Sequence, residues 1–143
     1  DLVNSERALR RGLSIRPHEP WLSDLLADVL FDARRPEELA ELASALLRAH
    51  PEHALSHYHM ARADLLLGDQ QRAREKVEAG LQLDPESFLL HRLAARLCIA
   101  EGQPEEACGH ISKALAAAKT AHDEGFIKIA LDEAATMGCQ LKR

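Results

Sequence analysis

The sequence predicts an all-α fold, a solenoid of stacked antiparallel helix pairs, and three observations carry that prediction. Pro17, Pro51 and Pro85 stand 34 residues apart, and each closes a similar phrase: GLSIRP, LLRAHP and GLQLDP. A period of that length is one helix–turn–helix unit of a repeat array. Small residues recur in register, with Ala27, Ala61 and Ala95 at one position of the first helix and Ala73 and Ala107 at one position of the second. Alanine and leucine dominate while aromatics make up only 3%, so the core must come from helix axes approaching to the short end of the usual ~8–10 Å. One unit cannot bury such faces alone, and its neighbours supply the other half of the core.

Ending each unit two residues after its proline divides the chain, 1–143, into a half repeat at 4–19, full repeats at 20–53, 54–87 and 88–121, and a closing helix at 122–141. Residues 4–15 carry Ala8, Leu9, Leu13 and Ile15 on a helix with no partner helix before it. Asp1 is not an initiator, so the whole is expected to be a single domain excised from a longer chain. The helix pairs are expected at 20–33 with 36–49, 54–67 with 70–83, and 88–101 with 104–118. Pro36-Glu37-Glu38 and Pro104-Glu105-Glu106 mark two helix starts: the proline sits where its missing N–H is harmless, and the carboxylates favour the positive end of the helix dipole. Gly68-Asp69 and Gly102-Gln103 form the turns of the last two pairs. Leu26 and Met60, Val77 and Ile111, and Leu47, Leu81 and Leu115 fill the seams between the alanines. Near the end, Phe126, Ala130, Met137 and Leu141 trace one face with Ile127, Leu131 and Ala134 beside it. Asp123, Glu124, Lys128, Asp132 and Glu133 keep the rest polar, which describes an amphipathic helix covering the last unit.

The pattern resembles the tetratricopeptide repeat. Met60-Ala61, Gly68-Asp69, Ala73, Val77 and Leu81-Gln82-Leu83-Asp84-Pro85 fall on that family's signature positions in the second full unit, and Ala95, Gly102, Ala107, Ile111 and Ala114-Leu115 in the third. The first full unit departs most, with Arg34 where glycine usually sits and Leu39 where alanine does. The resemblance implies a right-handed superhelical solenoid whose first helices line a concave groove. Carried over position by position, it implies groove residues Trp21, Asp24, Asp28, Phe31 and Asp32, then Leu55, Tyr58, Arg62, Leu65 and Leu66, then Leu89, Arg92, Arg96 and Ile99. Such a groove has carboxylates toward the amino-terminal half and guanidiniums toward the carboxy-terminal half, with Trp21, Phe31 and Tyr58 as apolar anchors. An acidic segment of a partner is expected to meet the arginines, which suit bidentate carboxylate contacts. The family's capture of a chaperone's C-terminal carboxylate uses lysines and asparagines, and here those positions hold Asp24, Asp28, His59, Leu89 and Leu93, so that mode is not expected.

At the fourth and eleventh positions of the unit, where the family usually has bulky apolar side chains, stand His57 and Asp64, then His91 and Cys98. Seven residues along a helix span about 10.5 Å, so these pairs cannot share one ion; polar groups satisfied beside the packed seam are expected. His50, His53, His57 and His59 form a second cluster, but it lacks the companion glutamate of a metallohydrolase, and no metal site or cofactor is expected. Cys98, Cys108 and Cys139 are odd in number, at spacings that match no zinc ribbon, redox pair or disulfide framework. They fit a reducing, cytoplasmic compartment and leave a periplasmic one open.

A net charge of −5 and scarce aromatics argue against a nucleic-acid surface. Apolar runs fall far short of the roughly 18 to 20 residues that cross a bilayer, so no membrane insertion is expected. No nucleophile–base arrangement is visible. The function expected is a non-enzymatic protein-interaction scaffold that holds a peptide or partner helix. A dedicated chaperone for an exported subunit is the alternative, and a metal-dependent enzyme ranks below both. Oligomerisation through the open N-terminal face is a further mode. The surplus of arginine over lysine has the bias of a GC-rich bacterial genome.

Overall fold

The computed structural model describes residues 1–141. Eight helices follow one another: α1 (Leu2–Ile15), α2 (Pro20–Asp32), α3 (Pro36–Ala49), α4 (Ala54–Leu66), α5 (Gln70–Leu83), α6 (Phe88–Ala100), α7 (Pro104–Thr120) and α8 (Glu124–Met137). No strand occurs among the described residues. Each boundary has a local cause. Pro36 and Pro104 open α3 and α7 at the first turn, as expected. Side-chain oxygens of Glu19, Asp69, Ser87 and Asp123 accept the backbone N–H groups of Leu22, Arg72, Leu90 and Phe126, satisfying donors that have no partner within the helix. The closing helix starts at Glu124 because Asp123 caps it, and it ends where Gly138 turns left-handed at φ 72°.

The helix C-termini repeat one hydrogen-bond scheme. The N–H groups of Arg35, Asp69 and Gln103 bond to the carbonyls of Leu30, Asp64 and Cys98 at 3.0, 2.9 and 2.8 Å, and the preceding residue is left-handed each time. Gly68 and Gly102 take that conformation freely. Arg34, at φ 55°, takes it against the steric preference of a side chain. The turn therefore keeps its geometry at Arg34, where the other two units have glycine.

The helices gather into two compact units, one spanning Asp1–Leu83 and one from Asp84 onward. In the first, Leu26, Ala27, Leu30, Leu39 and Ala63 form the core, with Leu9, Leu13, Phe31, Ala40 and Leu42 packed around it. Leu39 is fully buried and supplies bulk at the alanine position. Leu46, rather than the expected Leu47, is the buried leucine near the end of α3. It adds volume beside Ala43, which stands at the position held by Val77 in the next unit. Helix α1 buries no residue completely. Charge also holds it, because Arg35 bonds both Glu6 and Glu38 while Arg10 bonds the same two carboxylates. In the second unit, one cluster joins Phe88, Ala114, Leu115, Ala118 and Ala130, and another joins Ala95, Cys98, Ala107, Ile111 and Ala134.

The cysteines depart from expectation. Cys108 on α7 and Cys139 just past α8 are joined by a disulfide, with Cα atoms 5.4 Å apart. Their separation of 31 residues matches no known cysteine pattern because the antiparallel packing of α8 on α7, not local spacing, brings them together.

Candidate functional site

On the first unit, the predicted groove residues of α2 and α4 converge on one another. Asp24, Asp28 and Phe31 share a face of α2 at helical spacing, as Tyr58, His59 and Arg62 do on α4. The Arg62 guanidinium lies between two rings, 4.6 Å from the centroid of Phe31 and 4.5 Å from that of Tyr58. Its Nη2 donates to Asp28 Oδ1 at 2.8 Å and to His59 Nδ1 at 2.9 Å. Arginine has no acceptor, so His59 Nδ1 must carry the lone pair and Nε2 the proton. That Nε2–H donates to Asp24 Oδ1 at 2.7 Å. His53, at the entry of α4, donates through its own Nε2 to the same carboxylate at 3.0 and 3.1 Å.

The electrostatics follow. Burial pushes the His59 imidazole down from its ordinary pKa; the Asp24 carboxylate opposes that shift and Arg62 reinforces it. Burial alone would raise Asp24, but hydrogen bonds from His59 and His53 outweigh it and hold the carboxyl below the usual range. The set is thus a neutral imidazole bridging a carboxylate and a guanidinium. It is built for rigidity, and nothing in it generates a nucleophile. Trp21, one turn before Asp24 and Leu25, is 67% exposed. Asp28 keeps half of its side chain in solvent.

On the second unit, Arg92 and Arg96 project from α6, one turn apart. Both bond a single oxygen of Glu133 on α8, Arg92 Nε at 2.5 Å and Arg96 Nη2 at 3.1 Å. The other oxygen, Oε2, is buried without a hydrogen-bond partner. The arginines expected to receive a partner's carboxylate therefore already hold one from the chain itself. Glu133, His53 and His59 are the residues that the groove pattern missed. The visible signal for Glu133 was its place between Ala130 and Ala134, at the edge of the apolar stripe of α8.

The polar seam positions divide into two kinds. His91 donates from Nε2 to the Pro85 carbonyl at 2.6 Å and pairs through Nδ1 with His110 Nδ1 at 3.0 Å; burial depresses its pKa. Cys98 Sγ lies 3.6 Å from a Glu106 oxygen. These two are satisfied, as expected. His57 Nδ1 and Asp64 Oδ2 are instead buried without a partner. Asp64 is 6% exposed, its nearest cation, Arg72, is 3.9 Å away, and burial raises its pKa. Of the four clustered histidines, His53 and His59 meet on the Asp24 carboxylate, while His50 is bonded to the His18 carbonyl and His57 Nδ1 is buried without a partner. Among the described residues, no group of three His, Cys, Asp or Glu side chains is placed to hold a metal ion. No described helix is long and apolar enough to cross a membrane.

No family model and no curated protein matches the sequence. Solved structures do match the fold. A MamA fragment from Desulfovibrio magneticus RS-1 superposes with a TM-score of 0.65 at 18% identity, over 84% of this chain and 68% of that one. Another MamA crystal structure gives 0.63 at 14% identity, over 96% and 91%. The APC/C hetero-tetramer of Cut9 and Hcn1 gives 0.68 at 17% identity, over 96% of this chain and 28% of that one. Both neighbours are built of tetratricopeptide repeats, and that is the fold of this chain.

Proposed function

We propose that this chain is a non-enzymatic protein-binding scaffold that takes up a peptide or partner helix on the first helix of each hairpin. The observation that carries the proposal is the capture of Glu133 by Arg92 and Arg96: the α6 face holds a carboxylate presented by a helix. The exposed Trp21 on α2 supports it, since large aromatics and arginines dominate protein interfaces energetically. The fold's relatives in MamA and the APC/C are scaffolds of the same repeat type, which supports protein binding as the class of function. Of the charged and aromatic groove positions, Trp21, Asp32, Arg92 and Arg96 are assigned to ligand contact. Asp24, Asp28, Phe31, Tyr58 and Arg62 are assigned chiefly to shaping the α2–α4 face. The disulfide supports an oxidising compartment, the periplasmic setting, over the cytoplasmic one.

The test is site-specific photo-crosslinking in the native host. A photoreactive side chain at Trp21 or Leu89 should trap a discrete protein partner. Replacing Arg92 and Arg96 together by alanine should abolish the Leu89 adduct while leaving helicity unchanged. A Leu89 adduct that survives the double replacement, or the absence of any adduct at both positions, would refute the proposal.

A further inference from the structure

Helix α8 occupies the arginine pair, and its own hold on the second unit is modest. Only Ala130 and Ala134 are fully buried along it, and both bury little more than a methyl, while Phe126, Ile127, Ile129 and Met137 pack against the core only in part. Phe126 stacks on Phe88 with ring centroids 4.2 Å apart. Glu133 satisfies two guanidiniums through one oxygen while the other stays buried without a partner, so the resident carboxylate is an imperfect occupant. His122, between α7 and α8, is held at φ 54°, a strained conformation for a residue with a side chain. Against these weak terms stands one covalent tie, the Cys108–Cys139 disulfide, placed two residues beyond the end of α8. Both cysteines are half-buried, within reach of an attacking thiolate.

We propose that α8 is a displaceable internal occupant of the Arg92–Arg96 face, latched by this disulfide, and that reduction exchanges it for a partner helix of the same chemistry. The proposal rests on the reading of that face as a binding surface. The resident helix specifies the guest: an amphipathic helix with a carboxylate at the place of Glu133, small residues three before and one after it, an aromatic seven before and an apolar side chain four after. Those are the places of Ala130, Ala134, Phe126 and Met137. Complementary charge fixes the register, since two guanidiniums await one carboxylate. The releasing agent is a dithiol. One of its thiolates attacks a sulfur of the latch to give a mixed disulfide and expels the other cysteine as a thiolate. Its second thiol then closes the reductant's own disulfide, so two electrons pass to the chain and both cysteines end as protonated thiols.

The full chain carrying Glu133→Gln is the receptor, because that change weakens the resident helix and leaves the arginines in place. The probe is a fluorescent peptide of residues 123–139 with Cys139→Ser, followed by polarisation. Reduction with dithiothreitol should tighten peptide binding at least about tenfold, and adding R92A and R96A should reverse the gain by a similar factor. In the otherwise unaltered chain, hydrogen exchange of the α8 amides should accelerate at least about tenfold on reduction while α6 keeps its protection. Binding that depends on the arginines but is equal in the oxidised and reduced chains would overturn the latch while leaving the face as a binding surface. Binding indifferent to the arginines in both states would overturn the face itself, and unchanged α8 exchange would overturn the displacement. A reduced chain that dimerises and excludes the peptide would show a second copy's α8 to be the guest, against the proposal.

Discussion

Arg62 is the side chain whose removal most sharply separates a structural role from a ligand-binding one. Its guanidinium makes a buried hydrogen bond to His59, a half-exposed one to Asp28 and two ring contacts. A buried hydrogen bond to a charged group contributes roughly 1.5–3 kcal/mol. The pair with Asp28 is discounted to at most about 1 kcal/mol for solvent screening. Each ring contact adds about 0.5–1 kcal/mol. These terms overlap, so Arg62→Ala is expected to cost about 3 kcal/mol rather than their sum. Arg62→Lys keeps the charge but loses the planar fork and most of the stacking, and should cost about half of that. Urea unfolding followed by circular dichroism reads both, with an unchanged m-value as the sign that the unfolded state is not the cause. A residue free to serve a ligand would cost less than about 0.5 kcal/mol, as exposed positions do. An Arg62→Ala loss in that range would refute the structural assignment.

Four further outcomes are expected. Asp64→Leu should stabilise by about 1–2 kcal/mol at pH 7, because it removes a buried oxygen without a partner. The raised pKa of Asp64 means that its ionisation destabilises the fold as pH rises, so the gain in melting temperature should be larger at pH 7 than at pH 4. Burial depresses the pKa of His57, His59 and His91; the unfolded chain therefore binds protons first, and stability should fall as pH drops below 6.5. Urea midpoints at pH 7.5 and 5.5 measure that loss, and His59→Gln should shrink the difference. Arg34→Gly should raise the melting temperature by roughly 2–4 °C, the equivalent of about 1 kcal/mol for a chain of this size, by relieving the left-handed strain at φ 55°. Reducing the Cys108–Cys139 bond, which closes a loop spanning 31 residues, should cost about 3–4 kcal/mol, read as a drop in the urea midpoint on adding a reductant.

The helices were legible because periodicity, proline and capping signals act locally, over the few residues that each helix terminus involves. Arg34 shows the limit of that legibility: the turn after α2 forms from the same hydrogen bonds as its glycine-bearing counterparts, so position in the repeat overrode residue preference. The disulfide was not legible, since it depends on where α8 lies across α7 and no spacing rule encodes that. Glu133 escaped for the same reason. A carboxylate on the polar side of an amphipathic helix reads as solvated until a neighbouring helix brings arginines to it.

The pairing of Asp28 with Arg62 was open to inference from the repeat itself. The two stand 34 residues apart, at one position of successive units, on helices that pack side by side. Opposite charges so placed lie within side-chain reach and neutralise one another before any partner arrives. The positions that the proposed function leaves for recognition are those whose counterpart one period on cannot answer them. Trp21 faces Leu55 in this register and Asp32 faces Leu66; Trp21 is exposed and so is Asp32. An open indole at the start of α2 and, about 16 Å along the same helix, an acidic residue with no basic counterpart would, on the proposed reading, favour a guest with aromatic and basic groups spaced to match. On the proposed function, that guest would complement the carboxylate-bearing one expected at α6, and selection would rest on the chemistry of each face rather than on overall charge.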